Sequence, residues 1–253
     1  MNHFFIIMTG RNCQSYVVGS IQSVLAQKYD NWTLVVCSDG STDNTNKNIQ
    51  ELLAKLPSKY VDKIKIVFGE DRLHAACRRH EAIKKYSKDE NDICLFLGMD
   101  DELYPNCLTI IDNKYKTGVW MSYGNWRNQH GRTCTVPLDF PEHIHAGRDY
   151  RKVKYRSTAP NTFRRFLYDA IPEEDFKIDS KWIDTCTEGE VMFSCLEMCG
   201  EERIGVIKTP IYYYRESLNT GTLATQGAAY KYDVYAKIIS RAKRDLLVYE
   251  HHA

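Results

Sequence analysis

Residues 4–45 read FFIIMTGRNCQSYVVGSIQSVLAQKYDNWTLVVCSDGSTDNT, and the predicted fold depends on this stretch. Apolar runs at residues 3–9 and 32–38 have the length of buried strands. Between them, in residues 14–27, apolar side chains recur at helical spacing, which predicts an amphipathic helix. A strand, a helix and a second strand in this order indicate a βαβ unit with a parallel sheet.

The same alternation continues to about residue 101. Two further strands are predicted at residues 64–68 and 93–99, and two further helices at residues 41–56 and 73–86. The strands are continuous apolar runs, which is typical of a parallel sheet covered by helices on both faces. The predicted fold class is therefore α/β.

After residue 101 the pattern is less regular. We predict a strand at residues 118–124 and a hairpin turn at 128–132, which is followed by a strand-like run at 133–138. Further along we predict a helix at 190–200, a strand that ends at Pro210 and an aromatic strand after it. A last helix is predicted at 228–250. Residues 140–180 are polar and give no regular element. Residues 1–253 are predicted to form one domain, in which residues 1–101 bind a nucleotide and residues 102–253 complete the site.

Composition excludes several classes of protein. The 34 Lys and Arg residues balance 33 Asp and Glu residues, so the net charge of +1 argues against a nucleic-acid-binding protein. No apolar run approaches the roughly 20 residues of a membrane span, and the start lacks a signal-peptide pattern. The nine dispersed cysteines favour free buried thiols in a reducing compartment. We therefore expect a soluble cytoplasmic protein, whose oligomeric state the sequence does not give.

Polar groups follow the ends of all four predicted strands, where open α/β sheets bind their ligands. These groups lie in residues 9–12, 38–43, 69–72 and 98–102, with Arg78 and Arg79 further along the third helix. Carboxylates suit Mg²⁺ or Mn²⁺, and arginines suit phosphate oxygens, so the set predicts a metal–diphosphate site. Taken singly, residues 39–42 could be only a turn with a helix cap, and the two arginines only a solvated helix face.

The chain resembles the family 2 glycosyltransferases of the GT-A fold. The resemblance rests on Asn12, Tyr16, the run Ser23 to Gln27 and the run Asp39 to Asp43, and it extends through residues 74–83, 94–105 and 209–215. It covers most of the chain and is weakest over residues 125–180.

The resemblance implies a GT-A fold, that is, a Rossmann-like, mostly parallel sheet flanked by helices, with a small acceptor-side portion at the C-terminal end of the same domain. It implies an inverting enzyme that moves one sugar from a nucleotide-sugar donor, most often a UDP-sugar, to a hydroxyl of a glycan or glycoconjugate with help from Mn²⁺ or Mg²⁺. The Gln-x-x-Arg-Trp motif of processive synthases is absent, which favours transfer of one sugar.

The same resemblance implies roles for individual residues. The donor would be contacted by Thr9, Gly10, Arg11, Asn12, Asp39, Arg79, Met99 and Asp100. Asp39 would accept a hydrogen bond from the base, Arg79 would lie near the diphosphate, and Asp100 with Asp101 would bind the metal. Glu188 would be the catalytic base, with Glu190 and Asp184 as alternatives. The structural alternative for Glu188 and Glu190 is that acids near a helix N-terminus interact favourably with the helix dipole.

The sequence departs from the family pattern at several positions. Ser38 and Gly98 stand where the first Asp of Asp-Asp-Gly-Ser and of Asp-x-Asp is usual. The metal-binding His that often follows the family's Tyr-Arg is replaced by the run Glu216 to Asn219. Trp120, Trp126, Trp182 and residues 212–214 could stack on a sugar or could be core aromatics, and His143 with His145 is expected to be an exposed loop pair.

Two other functions fit parts of the pattern. A glycosyltransferase-like domain that binds a nucleotide sugar or glycan without transferring it would fit the loss of the first metal-motif Asp. A sugar-1-phosphate nucleotidyltransferase would need a Gly-rich, basic phosphate loop after the first strand, of which Gly10 and Arg11 are a faint trace.

Overall fold

The computed structural model describes residues 1–136, 138–216 and 222–249. Its strands are β1 (Phe4–Gly10), β2 (Trp32–Asp39), β3 (Ile64–Gly69), β4 (Ile93–Gly98), β5 (Glu102–Leu103), β6 (Met121–Asn128), β7 (Asn161–Arg164), β8 (Lys177–Ile178), β9 (Lys181–Trp182) and β10 (Ile204–Tyr214). Its α-helices are α1 (Val17–Leu25), α2 (Thr45–Leu53), α3 (His74–Tyr86), α4 (Cys107–Tyr115), α5 (Glu142–Gly147), α6 (Arg165–Asp169), α7 (Thr187–Met198) and α8 (Thr222–Ile239).

Eight strands form one sheet in the order β3-β2-β1-β4-β7-β6-β10-β5, and β8 pairs with β9 in a separate hairpin. β1 lies parallel between β2 and β4, and β6 lies parallel to β10. β7 runs antiparallel to both β4 and β6, and β5 runs antiparallel to β10. The prediction of an α/β fold with a mostly parallel sheet is confirmed.

Alternation along the strands builds a core on each face of the sheet. In β1, Phe5 and Ile7 face a core that includes side chains of α3, α6 and α7. Phe4 and Ile6 face the opposite core, with side chains of α1, α2 and α4. Because both faces are covered, β1 is an uninterrupted apolar run, as its sequence predicted.

Residues 140–180 contain more regular structure than the sequence indicated. β7 inserts into the middle of the sheet, where Cys94 pairs with Phe163 and Met121 also pairs with Phe163. Its four residues are too few to produce a periodic signal. His145 lies on α5 with a largely buried side chain and contacts the Tyr150 hydroxyl, so the expectation of an exposed loop pair is wrong for this residue.

Two predicted boundaries near the C-terminal end are also wrong. Pro210 does not end a strand: β10 runs through it, and the pairing with β6 shifts register on both sides. The last helix ends at Ile239 rather than continuing to residue 250, and the chain then runs across α7, where Leu247 N–H donates to Met198 O. The run predicted at 133–138 is not a strand in its described residues, 133–136 and 138, which form one isolated bridge, between Arg127 and Thr133.

Two further observations concern the chain as a whole. None of the helices in the described residues is long and apolar enough to cross a membrane. All nine cysteines are free, and only Cys134 and Cys186 are not fully buried.

Candidate active site

The loops that follow β1 and β2 are hydrogen-bonded to each other. Asn12 takes a left-handed conformation with φ 56°, and its side-chain oxygen accepts a hydrogen bond from Thr42 N–H at 2.8 Å. Arg11 Nε donates to Gly40 O at 3.1 Å. These two residues, which we expect to contact a donor, therefore also join the loops after β1 and β2, which with the ends of β3 and β4 and the start of α7 we call the cleft.

β1 and β4 approach each other closely where they end. A Cβ on Gly10 would lie 2.4 Å from the Cβ of Met99, so only glycine fits there. Thr9 is buried, and its carbonyl accepts a hydrogen bond from Met99 N–H at 3.0 Å. Met99 is fully buried. Its side chain packs against the end of β1, and its predicted contact with a donor stays a prediction.

Asp39 ends β2 and is held by three donors. Its Oδ1 accepts from Leu73 N–H at 2.8 Å and from Arg78 Nε at 3.0 Å, and its Oδ2 accepts from His74 N–H at 2.9 Å. The Arg78 guanidinium is also bound by the carboxylate of Glu81. Asp39 therefore joins the end of β2 to the start of α3, and most of its acceptor capacity is used within the protein.

Asp101 joins the end of β4 to the end of β10. Its Oδ2 accepts from the Tyr212 hydroxyl at 2.7 Å, and its Oδ1 accepts from Arg215 N–H at 2.7 Å. Arg215 also donates to Asp100 O and to the Glu102 carboxylate. Asp101 is 6% exposed, so this carboxylate acts first as a structural bridge.

The space above Gly98 is filled by the two carboxylates that follow it. A Cβ on Gly98 would lie 2.7 Å from Asp101 Oδ2 and 3.0 Å from Asp100 Oδ1. The position that a side chain at residue 98 would occupy is therefore taken by the carboxylates of the second and third residues after it. The carboxylate of Asp100 accepts no hydrogen bond from another residue in the described part of the chain.

Burial and proximity raise the pKa of both carboxyl groups. Burial raises the pKa of Asp100 above its usual range. Burial and the nearby Asp100 charge raise the pKa of Asp101 to about 7, and the charge of Glu188 contributes in the same direction. Two buried acids that repel each other favour a cation or a proton between them.

Arg79 joins α3 to the start of α7. Its Nη2 lies 2.7 Å from Glu188 Oε1, its Nη1 donates to Thr187 Oγ1 at 2.8 Å, and its guanidinium stacks on the Phe96 ring at 4.3 Å. Burial alone would raise the pKa of Glu188, but the Arg79 charge and these hydrogen bonds hold it below its usual value. Glu188 is therefore ionised at neutral pH, and 37% of its side chain is exposed.

The two alternative bases lie in different surroundings. The side chain of Glu190 is 1% exposed and forms ion pairs with Arg151 at 3.2 Å and Arg241 at 3.0 Å. It points into a buried charge cluster on the other side of α7. Asp184 accepts hydrogen bonds from the Tyr230 hydroxyl and from Gln226, which tie it to α8.

The sequence does not predict the bonds that four residues make in this site. Arg78, His74, Tyr212 and Arg215 all bind the acidic groups at the strand ends. The sequence indicates Arg78 as a phosphate ligand and Tyr212 as a stacking or core aromatic, and it shows Arg215 as the last residue of a family-like run. None of the four pairings follows from spacing along the chain, because the partners lie more than thirty residues apart.

The model of glycosyl transferase family 2 matches residues 5–170, more than half of the chain. This chain belongs to glycosyl transferase family 2. The family 2 chain is 34% identical over 122 residues to the Escherichia coli protein WfgD, which is named UDP-Glc:alpha-D-GlcNAc-diphosphoundecaprenol beta-1,3-glucosyltransferase. That match covers 48% of this chain and 44% of WfgD, so the chain spans less than half of this relative.

Solved structures confirm the GT-A fold that was predicted for this family 2 chain. Staphylococcus aureus TarS 1–349, crystallised with UDP-GlcNAc, superposes with a TM-score of 0.66 at 17% identity, covering 93% of this chain and 65% of TarS. GalNAc-T7 with UDP, GalNAc and Mn²⁺ gives a TM-score of 0.60 at 12% identity, covering 94% and 48%. At these identities the likeness shows the fold.

Aromatic residues of the family 2 chain divide between core and cleft. Trp120 and Tyr212 are buried, in keeping with the core alternative. Trp126 packs against Tyr214 with ring centroids 5.2 Å apart, and Tyr214 is 40% exposed close to the acidic pair. Trp182 lies against His80 on the other side of α3. The Trp126–Tyr214 pair therefore presents an aromatic surface next to the candidate site, and the rings of Tyr16 and Tyr213 lie beside it, under the Arg215 guanidinium.

Metal ligands are few. No group of three or more His, Cys, Asp or Glu side chains is arranged to hold a metal ion in residues 1–136, 138–216 and 226–249. Of the run after Arg215, only Glu216 is described, where its carboxylate accepts from Asn128; residues 217–219 lie outside the described residues. At this edge the Asp39 and Glu102 carboxylates are bound by arginines, and Asp100 and Asp101 carry the remaining carboxylate oxygens of the kind that Mn²⁺ and Mg²⁺ prefer.

Proposed function

We propose that this domain transfers one sugar from a UDP-sugar to a hydroxyl group of a glycan or glycoconjugate, with inversion at the anomeric carbon. UDP appears in the name of the E. coli relative and in the titles of both structural neighbours. The observation that carries the proposal is Glu188, an ionised and partly exposed carboxylate that is held by Arg79 and whose charge acts on Asp101.

The negative charge of Glu188 interacts electrostatically with Asp101, one of the two acids after β4. It helps to raise the pKa of Asp101, so the ends of α7 and β4 lie within electrostatic range of each other. If the diphosphate of a donor binds at the ends of the strands, its sugar would lie between the end of β4 and Glu188 at the start of α7. A single carboxylate base facing that sugar supports direct displacement, which inverts the anomeric carbon.

The proposed reaction needs one proton acceptor and one stabilised leaving group. The acceptor oxygen attacks the anomeric carbon and forms the new glycosidic bond, while its proton moves to the Glu188 carboxylate. The bond between the anomeric carbon and the diphosphate oxygen breaks, and its electron pair leaves with the nucleoside diphosphate. Arg79 keeps Glu188 ionised for this step and fixes its position through the 2.7 Å contact.

Asp100 is the best candidate to hold Mn²⁺ or Mg²⁺, with Asp101 beside it. The raised pKa of each group shows that burial, and for Asp101 the charge of Asp100, disfavour two negative charges here, and a divalent cation would relieve this cost. Such an ion would stabilise the negative charge on the diphosphate. Asp101 would contribute less than Asp100, because both of its oxygens already accept hydrogen bonds.

The acceptor would dock against the Trp126–Tyr214 pair. An aromatic face next to carboxylates is a common way to bind a sugar ring. The E. coli relative is named for an acceptor that carries GlcNAc on a lipid diphosphate, which supports a glycoconjugate acceptor here.

The test of this function is donor turnover with a panel of nucleotide sugars, in Mn²⁺ and in EDTA, followed by release of nucleoside diphosphate. We expect release of UDP from one donor, loss of release in EDTA and at least a hundredfold loss in Glu188→Gln. Full turnover by Glu188→Gln would reject the base, and release of GDP or another nucleotide would reject the uridine donor.

A binding module without transfer is the second candidate, and the engaged oxygens of Asp101 favour it. That function predicts thermal stabilisation by UDP with no release of UDP from any donor, even when glycan acceptors are supplied.

A further inference from the structure

His74 begins α3 in a strained conformation. Its φ is 67°, in the left-handed region that costs free energy for a residue with a side chain. This turn directs the N–H groups of Leu73 and His74 at the Asp39 carboxylate. A glycine would make the same turn without strain. The backbone alone therefore does not account for a histidine here.

The side chain of His74 lies among the charged groups of the cleft. It is half-buried, and its imidazole makes no hydrogen bond or ring contact with any residue in the described part of the chain. The charged groups that act on it are Arg72, Asp184, Asp39 and Arg11. They come from the loops after β1, β2 and β3 and from the segment before α7, so the imidazole lies where these loops converge.

The His74 imidazole has nitrogen atoms available for hydrogen bonds to a ligand, whereas most acceptor positions of Asp39 are used. Asp39 already accepts three hydrogen bonds from the protein. Burial and the charge of Arg72 lower the pKa of His74, so its ring is neutral at pH 7 and offers one N–H donor and one nitrogen acceptor. The imide edge of uracil offers a matching N–H donor beside carbonyl acceptors.

We propose that the His74 imidazole binds the nucleobase end of the donor beside Asp39, by one hydrogen bond to the imide edge of uracil. The inference rests on the proposed function, because it requires a nucleotide donor in this cleft. The free energy that the left-handed turn costs is then offset by a contact that a glycine could not make.

The test compares His74→Gly with Ser180→Gly. Ser180 also has a positive φ, 63°, but it is exposed in the turn between β8 and β9 and makes no bond to Asp39. Calorimetric titration with UDP and with GDP is run on the wild-type protein and on both variants, and melting temperatures are measured without ligand. His74→Asn, which tolerates the left-handed conformation and keeps a donor and an acceptor, is the conservative variant.

We expect both glycine variants to melt at or above the wild-type temperature. We expect only His74→Gly to bind UDP about tenfold more weakly, the effect of one lost hydrogen bond to a buried partner, and His74→Asn to recover part of that loss. Unchanged UDP affinity in His74→Gly would overturn the inference and leave the proposed function intact. A wild-type protein that binds neither nucleotide would overturn both, and one that prefers GDP would overturn the assignment to uracil.

Discussion

At the scale of single residues, the departure at Gly98 has a steric explanation. The family pattern has an acid there, but the carboxylates of Asp100 and Asp101 already occupy the space next to its Cα. Restoring the usual residue would put a third carboxylate among two that have raised pKa values. The glycine at position 98 therefore fits the space that the neighbouring carboxylates leave, and a larger side chain would not fit there.

We predict that Gly98→Asp and even Gly98→Ala lower both stability and turnover. The new Cβ would lie 2.7 Å from Asp101 Oδ2, and an overlap of this kind costs about 1–3 kcal/mol. The control is Gly189→Ala, because the added Cβ meets no atom within 4 Å and a helical alanine is favoured by roughly 0.5–1 kcal/mol. Urea unfolding and donor turnover measure both effects; a more active Gly98→Asp would contradict the steric account.

The Arg79–Glu188 pair gives a prediction about pH. Arg79 holds the pKa of Glu188 below its usual value, so Arg79→Met should raise that pKa. The base works only when it is ionised, so the acidic limb of the kcat/KM profile should move to higher pH and activity should fall most at pH 5–6.

The charged groups that interact with Glu188 are Arg79 and Asp101. Lys85→Met, at the exposed end of the same helix, serves as the control and should leave the profile unchanged. An acidic limb at the wild-type pH in Arg79→Met, with reduced rate at every pH, would show that Arg79 acts on another group.

At the scale of elements, α7 carries two acids with opposite roles. Glu188 lies at its first turn and faces the cleft. Glu190 faces Arg151 and Arg241. Glu197, about two helical turns after Glu190, also pairs with Arg151, at 2.8 Å. The extended chain after α8 passes over these groups, since Arg244 donates to Ser194. The buried cluster thus fixes the orientation that presents Glu188.

We predict opposite results for two conservative substitutions on this helix. Glu188→Gln should abolish turnover and change the unfolding free energy by less than about 1 kcal/mol, because its side chain is partly exposed. Glu190→Gln should destabilise the protein by about 3 kcal/mol, because buried arginine charge loses its partner.

Turnover per folded molecule should survive in Glu190→Gln, measured at a temperature where the variant is folded. Loss of turnover with full stability in that variant would assign the base to Glu190 instead.

At the scale of the whole molecule, we expect the free energy of unfolding to depend on pH at acidic values through the carboxylate of Asp92. This buried carboxylate at the start of β4 accepts from Ser87 Oγ and contacts His3 Nδ1 at 2.6 Å. Burial raises the pKa of Asp92, but these hydrogen bonds bring it below its usual value. A lowered folded pKa adds stability above the unfolded pKa of about 3.9, and this stability is lost as pH falls through the folded pKa.

Asp92→Asn should therefore reduce the unfolding free energy at pH 7 by about 1–3 kcal/mol, with a smaller difference near pH 3. Denaturant unfolding of both proteins at the two pH values measures it. The matched control is Asp89→Asn at the exposed loop before β4. A difference that grows towards low pH would contradict the assigned direction of the pKa.

The sequence predicts the first half of the fold well, because β1 to β4 and their helices have clear apolar periods. It also predicts which loops form the site, since those loops must follow the strand ends. It does not predict that Asp101 binds Tyr212, that Asp39 binds Arg78 or that β7 enters the sheet. These depend on contacts between distant segments, for which neither period nor spacing gives a signal.

The position of β7 has a consequence for building hybrid enzymes. Residues 161–164 belong to the half of the chain that we expect to read the acceptor, yet they pair with β4, which ends in the donor-side acids. In a hybrid joined near residue 101, β4 would come from one parent protein and β7 from the other, and the two strands would have to pair with each other. An exchange confined to residues 129–160 leaves every strand of the central sheet with its own partners, provided that it keeps Arg151, which pairs with Glu190 and Glu197 on α7.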